Sequence, residues 1–334
     1  MPKAFTLYWS NLELYEQCPQ GFLWGRGWGA IDVGGGPGRK KPVPFKDSKH
    51  HAVMGIVLAG VMEKLYNDEM WRQPEGLANR LTDMVKREFN YQIGKSRNYI
   101  DWRLAPSKQA MLEVCTSGII GFLRTMKYNR LLGEYAKSEV DLVGYVNKYT
   151  PIGGRADLII RRGADQDVLP GISILDGKNS QSKGKYTDPD QLRWYALCFY
   201  LAFGQMPDRL GFIYYRYPYG MPVEDKDGNP ILDDEGNPMT EQGVDWVEFS
   251  REDIQGLARR AVNALKSMQR EKFEPTPSPK ACRFCNYESV CSARQEQKKT
   301  RARKPKNTDD LLQGTDGFVE FGFELGGKSA PEKG

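Results

Sequence analysis

Cys18 stands alone near the N-terminus, and Cys282, Cys285 and Cys291 stand together in CRFCNYESVC near the other end. If these four thiols share a metal, the two ends must meet, and the group acts as a clasp around everything between them. That constraint argues against a string of independent modules. Four thiolates suit either a [4Fe–4S] cluster or structural zinc, and the C-x2-C-x5-C spacing does not choose between them. The remaining cysteines, Cys115 and Cys198, lie within apolar helical patterns and read as buried thiols. In a reducing compartment such a set reads as ligands and core residues rather than disulfides.

The 334 residues, 40% of them apolar, are enough for one large domain with a substantial core. A net charge of +5 permits a nucleic-acid partner without requiring one. No run approaches the ~18 apolar residues of a membrane span. MPKAFTLYWS lacks the apolar core of a secretion signal, so a cytoplasmic chain is expected.

Along the chain, Ser10 with Glu13 forms a capping-box pattern, predicting a short helix that ends at Cys18-Pro19. Residues 25–50 are rich in Gly, Pro and Lys and read as a basic loop. Helical patterns follow at about 51–72, 75–93 and 106–131, the first with Val57, Val61 and Leu65 on one stripe. The period then changes. Residues 138–149, 152–161, 172–177 and 209–217 read as strands, with a helix over 188–204. DGNP and EGNP mark turns within 220–248, and a last helix spans about 250–271. A basic stretch from Arg294 to Lys306 precedes a Gly-rich, charged end whose composition predicts disorder.

The chemistry concentrates in the strands. Asp157 follows GRA, and Asp176 lies two residues before Lys178 in ISILDGK. Residues i and i+2 of a strand face one side, so Asp176 and Lys178 converge, and a neighbouring strand can bring Asp157 beside them. Oxygen ligands of this kind suit Mg²⁺ or Mn²⁺. Gln191 and Tyr195, four apart in QLRWY, share one helical face.

Asp157, the D-G-K of 176–178, Q-x-x-x-Y and the one-plus-three cysteines, in this order, resemble the RecB-type nucleases of the PD-(D/E)XK superfamily. The resemblance is to the iron–sulfur branch that includes the CRISPR-associated RecB-like exonucleases and the AddB nuclease domain. It covers about residues 6–292. It implies an α/β, restriction-endonuclease-like core with a mixed central sheet, a helical insertion at about 65–135, and an iron–sulfur clasp. The nuclease domain would span 1–292 and a basic, then disordered, tail 293–334. Asp157, Asp176 and the Gly177 carbonyl would hold Mg²⁺ or Mn²⁺. Lys178 would activate water or stabilise the transition state, and Gln191, Tyr195 and Glu63 would complete the catalytic set. Cys18, Cys282, Cys285 and Cys291 would bind a [4Fe–4S] cluster, the Cys-Pro dipeptide at 18–19 favouring it over zinc.

The same resemblance implies a DNA exonuclease acting on single strands or ends in replication, repair, recombination or CRISPR adaptation. Such a protein fits a phage or prokaryotic accessory gene and assembles alone, as a homo-oligomer or with protein partners. There is one departure. In MGIVLAGVMEKLY, Gly55 and Glu63 match the family helix, but its histidine position holds Ala59. The only histidines are His50 and His51, and His51 lies roughly 12 Å from Ala59 along a continuous helix. This leaves a second expectation, a catalytically impaired DNA-end-binding or assembly subunit. Candidate DNA contacts are the basic loop (Arg39, Lys40, Lys41, Lys46, Lys49), the Arg294–Lys306 stretch and the aromatics of FIYYRYPYG at 212–220.

Overall fold

A computed structural model describes residues 5–26, 50–95, 100, 102–103, 105–132, 135–148, 150–162, 171–180, 187–215, 225, 227, 229–232, 236, 238–239, 243–283, 285, 287–288 and 291–303. The basic loop at 39–49 and the chain beyond 303 lie outside these residues.

In chain order the elements are β1 (Leu7–Tyr8), α1 (Trp9–Gln17), α2 (Pro19–Arg26), α3 (His50–Asn67), a 3-10 turn (Met70–Arg72), α4 (Leu77–Lys95) and α5 (Lys108–Tyr128). Then come β2 (Tyr135–Tyr145), β3 (Pro151–Arg162), β4 (Gly171–Lys178), α6 (Pro189–Phe203), β5 (Arg209–Tyr214), β6 (Val244–Val247), α7 (Arg251–Gln269), α8 (Pro279–Arg283) and α9 (Ser292–Arg303). The strands form one mixed sheet in the order β1-β3-β4-β5-β6, with β2 on the other edge of β3. The expected α/β class with a mixed central sheet is observed.

Alternation along the central strands sorts their side chains into two cores. Leu175, Ile213 and Tyr215 join α3, α4 and α5 on one face. Ile174, Phe212 and Tyr214 join α1, α6 and α7 on the other. Burial on both faces makes β4 and β5 nearly continuous apolar runs, as strands between two helical layers must be. The alternating aromatics expected to contact DNA therefore belong to the core as far as Tyr215, and 216–220 lie outside the described residues.

The parallel β4–α6–β5 unit places the site. Asp188 caps α6 by accepting from the Asp190 N–H, and Pro189 opens the first turn, where a missing N–H costs nothing. Gly204, at φ 71°, closes the helix with a left-handed residue. Gln191 is thus fixed in the first turn of α6, beside the C-terminal end of β4, where open α/β sheets place their ligands.

One local expectation is corrected. Ser10 does not cap α1. Tyr8 occupies the N-cap position without a side-chain hydrogen bond, because β1 pairs in parallel with β3 through Leu7 and Tyr8 and the helix begins directly after it. The basic stretch after Cys291 is helical through Arg303, and Arg294 is committed to an ion pair with Glu288 at 3.0 Å.

Candidate active site and thiol cavity

The β3–β4 ladder ends at Leu158↔Leu175, and one further step puts Asp157 across from Asp176. Beyond that point β3 leaves β4 and pairs instead with β1, at Ile152 and Gly153. The Gly177 N–H, left without a β3 carbonyl, donates to Asp157 Oδ2 at 2.9 Å. Lys178 Nζ lies 2.6 Å from Asp176 Oδ2 and donates to Gln191 Oε1 at 2.9 Å. Gln191 Nε2 in turn donates to Asp176 Oδ1 and to the Tyr195 hydroxyl, each at 3.0 Å. The structure therefore brings Asp157, Asp176, Lys178, Gln191 and Tyr195 into one connected group.

This group is short of positive charge. Asp176 is only 2% exposed, and burial raises its pKa against the opposing pull of Lys178. Asp157 is pushed up to about 8, first by burial and then by the charge of Asp176. Among the described residues, the Lys178 ammonium is the cation beside Asp176 Oδ2. Two buried carboxylates side by side, each raised by burial and Asp157 raised further by the charge of Asp176, are a donor set that a hard divalent cation fits. The Gly177 carbonyl belongs to the same strand end.

Helix α3 runs past this strand end. Gly55 lies against Asn179, whose side-chain N–H donates to the His51 carbonyl at 3.1 Å. Glu63 lies close enough to act electrostatically on Glu139 of β2. Ala59 sits on the same i+4 stripe, between these two contacts. The helix is unbroken from His50 to Asn67, so no bend carries His51 towards position 59.

Two residues at the site were missed by sequence reasoning. Glu139 lies across from Asp157 by the flanking register Ser138↔Leu158 and Val140↔Ala156. Its φ of 54° is unusual for a non-glycine in a strand, and its carboxylate pairs with Arg155 at 2.8 Å. Burial raises its pKa first, and Arg155 opposes that rise. Only the β2–β3 register, fixed where the Val146 N–H donates to the Thr150 carbonyl, could have pointed to it. Tyr215 is the second. A Cβ at position 177 would lie 2.2 Å from its hydroxyl, so its phenol occupies the space a side chain there would need. That hydroxyl donates to Met62 Sδ at 3.1 Å.

At the other end of the fold, Cys18, Cys282, Cys285 and Cys291 line one small cavity with Gln20 and Trp24. The Gly21 and Tyr287 N–H groups each point to a thiol, at 3.4 Å from Cys18 and Cys285. Burial raises the Cys285 thiol pKa, and Cys18, Cys282 and Cys291 raise it further. The donor set fits a thiolate-ligated centre, although no three His, Cys, Asp or Glu among the described residues are grouped to hold a single ion as they stand. Cys115 and Cys198 are fully buried.

A buried carboxylate pair with a lysine at the end of a β-strand, on a mixed sheet between helical layers, is the arrangement of a metal-dependent nuclease. The sequence profile of the PD-(D/E)XK nuclease superfamily matches residues 8–292, and the chain belongs to that superfamily, whose members are generally nucleases. No curated protein sequence matches the chain. A solved structure titled "Crystal structure of SSO0001" is similar at 17% identity, over 56% of this chain and 77% of that one, with a TM-score of 0.29. At that distance it carries no argument.

Proposed function

We propose that the protein is a metal-dependent exonuclease that hydrolyses DNA, preferring single strands or ends, with a [4Fe–4S] cluster held by Cys18, Cys282, Cys285 and Cys291. The observation that carries this reading is the charge deficit at Asp157 and Asp176, with Lys178 and Gln191 fixed against them. Asp157, Asp176 and the Gly177 carbonyl would hold Mg²⁺ or Mn²⁺. Such an ion supplies Lewis acidity and lowers the pKa of water.

The chain's own residues do the positioning. Gln191 bridges Asp176, Lys178 and Tyr195 and so fixes the rotamers of all three. Lys178 provides a cation beside the phosphoryl group, where developing charge in a water-poor site is strongly stabilised. Glu63, at the family's glutamate position, lies on the flank of the site within electrostatic reach of Glu139. The cysteine centre ties α1 and α2 to α8 and α9, a structural role in which ligand binding is coupled to folding.

Ala59 favours a second reading, a DNA-end-binding subunit that keeps the fold and the thiol centre without efficient cleavage. One experiment separates the two: end-labelled single-stranded DNA incubated with anaerobically purified protein, in Mg²⁺ and in Mn²⁺, beside Lys178→Ala. Cleavage that vanishes in Lys178→Ala supports the nuclease. Absence of cleavage in both metals, from protein with an intact iron–sulfur chromophore, leaves the binding subunit.

A further inference from the structure

The Gln191–Tyr195 spacing continues along α6 to Phe199 and Phe203, each four residues on. Positions four apart lie on neighbouring turns of one helical face. The stripe therefore runs from the carboxylate site to the far end of the helix, Tyr195 and Phe203 being separated by roughly 12 Å of helix rise. Phe199 is buried and Phe203 is 61% exposed, and their ring centroids lie 4.8 Å apart.

These two rings form one wall of a groove of about 280 Å³ between α6 and the sheet. The sheet side of its lining comes from β2, β3 and β4 and includes Lys137, Ile159, Arg161 and Ile172. Among the described residues, no carboxylate lines the groove. Lys137 and Arg161 are exposed, and neither is in an ion pair among the described residues. Arg161 is on the same strand as Asp157, four residues away, or about 13 Å at 3.3 Å per residue.

Unpaired cations beside exposed aromatic rings are the two elements that hold single-stranded nucleic acid, the cations taking phosphates and the rings stacking on bases. The groove is near the lower end of the ~300–1,000 Å³ range of small-ligand cavities, room for about one nucleotide. We infer that this groove is a distal subsite for the DNA strand, in which Phe203 stacks on a base and Lys137 and Arg161 hold flanking phosphates, a few nucleotides from the bond cleaved at Asp157 and Asp176. Duplex DNA keeps its bases stacked on each other, so the subsite selects single strands. The inference rests on the nuclease reading for the identity of its ligand.

The test compares wild type with Phe203→Ala and with the double variant Lys137→Ala/Arg161→Ala. Binding of a long oligothymidylate is measured by fluorescence anisotropy in chelator over a series of salt concentrations. Hydrolysis of bis(p-nitrophenyl) phosphate in Mn²⁺ is followed in parallel, because this small diester does not reach the groove. Phe203→Ala should weaken oligothymidylate binding by roughly 5- to 150-fold, the range for one lost base–aromatic stack. The double variant should lower the slope of log affinity against log salt by about 1.4, at ~0.7 per phosphate contact on single strands. Hydrolysis of the small diester should be unchanged in both.

Wild-type affinity and salt slope in both variants overturn the subsite, as does an equal loss of diester hydrolysis, which would place the damage at the carboxylates. Groove-dependent binding by a protein that hydrolyses neither substrate refutes the nuclease reading and leaves the subsite standing. A wild type that does not bind the oligothymidylate overturns the subsite, and the nuclease reading falls with it only where the diester is not hydrolysed either.

Discussion

Gly177→Ala probes the joint between the fold and the site. The added Cβ would lie 2.2 Å from the Tyr215 hydroxyl, 2.7 Å from Cζ and 2.9 Å from Cε2. Ordinary contact needs about 3.5 Å, so roughly 1.3 Å must open. Tyr215 cannot supply it. The residue is 3% exposed, its ring packs on Phe122 at 5.4 Å, and its N–H donates to the Lys178 carbonyl at 3.0 Å. A Cβ built on Gly118 or Gly121 of α5 would lie 3.4 or 3.5 Å from its carbonyl oxygen, so α5 crosses close to it. The end of β4 must move instead, taking Asp176 and Lys178 with it.

Overpacking of this kind costs about 1–3 kcal/mol. For a chain of this size the melting temperature should fall by roughly 1–4 °C, at ~1.4 °C per kcal/mol from ~2.1 cal/mol/K of unfolding entropy per residue. A displacement of about 1 Å at the reacting groups costs on the order of 100-fold in rate. Activity should therefore fall far more than stability, as read by calorimetry beside DNA cleavage. Made on top of Tyr215→Leu, the same Gly177→Ala change should cost less than in wild type, with a coupling of about 0.5–3 kcal/mol. A Gly177→Ala protein that melts and cleaves like wild type would refute the reasoning.

Ala59→His should tighten Mn²⁺ binding in calorimetric titration, since position 59 lies on α3 between Gly55, beside Asn179, and Glu63, within electrostatic reach of Glu139; unchanged affinity would mean that position 59 does not reach the metal. The Asp157 carboxyl, raised to about 8, keeps in the folded state a proton that the unfolded chain releases near pH 4. Its contribution is thus fully present below pH 4 and lost as pH rises towards 8, so the metal-free protein should lose stability over that window, and Asp157→Asn should flatten the profile. Identical denaturant profiles for the two proteins from pH 5 to 8 would contradict this. Cys18→Ser should lower both iron content and melting temperature, because it cuts the tie between α1 and the C-terminal helices; bound zinc in wild type, with no iron, would exclude the cluster.

The parts of the site that were legible in the sequence are those set by local spacing. Asp176 and Lys178 share a strand face whatever else the chain does, and Gln191 and Tyr195 share a helix face. Asp157 was legible as a strand residue because GRADLII has a recognisable period. Glu139 and Tyr215 were not legible, because their place depends on pairing between strands: Glu139 on the β2–β3 register, Tyr215 on the parallel pairing of β5 with β4. The aromatics of 212–215 misled for a related reason. A strand buried on both faces shows no polar alternation, so aromatic residues at alternating positions cannot be distinguished by pattern from an exposed stacking surface. The Ser10 cap failed because two residues of β1 were enough to fix where α1 begins.

The location of the carboxylates follows from the way β3 changes partners. One edge of β3 pairs with β2 along its length, while the other is divided between β1 at 152–153 and β4 at 158–162. In the gap between those two ladders a main-chain donor of β4 has lost its strand acceptor, and the Asp157 side chain takes that place. An unpaired buried N–H costs about as much as a lost hydrogen bond. Asp157 therefore closes the sheet at the same point where it supplies charge to the site, and the two roles have different chemical requirements. The first needs only an oxygen acceptor, which asparagine also provides. The second needs a negative charge, which asparagine lacks. Asp157→Asn should leave the sheet closed while removing the charge, whereas Asp157→Ala removes both, so the difference in melting temperature between these variants measures the structural role alone. That dual use explains how a carboxylate with its pKa near 8 is held in place: the Gly177 hydrogen bond fixes it, and the charge repulsion with Asp176 is left for a cation to neutralise.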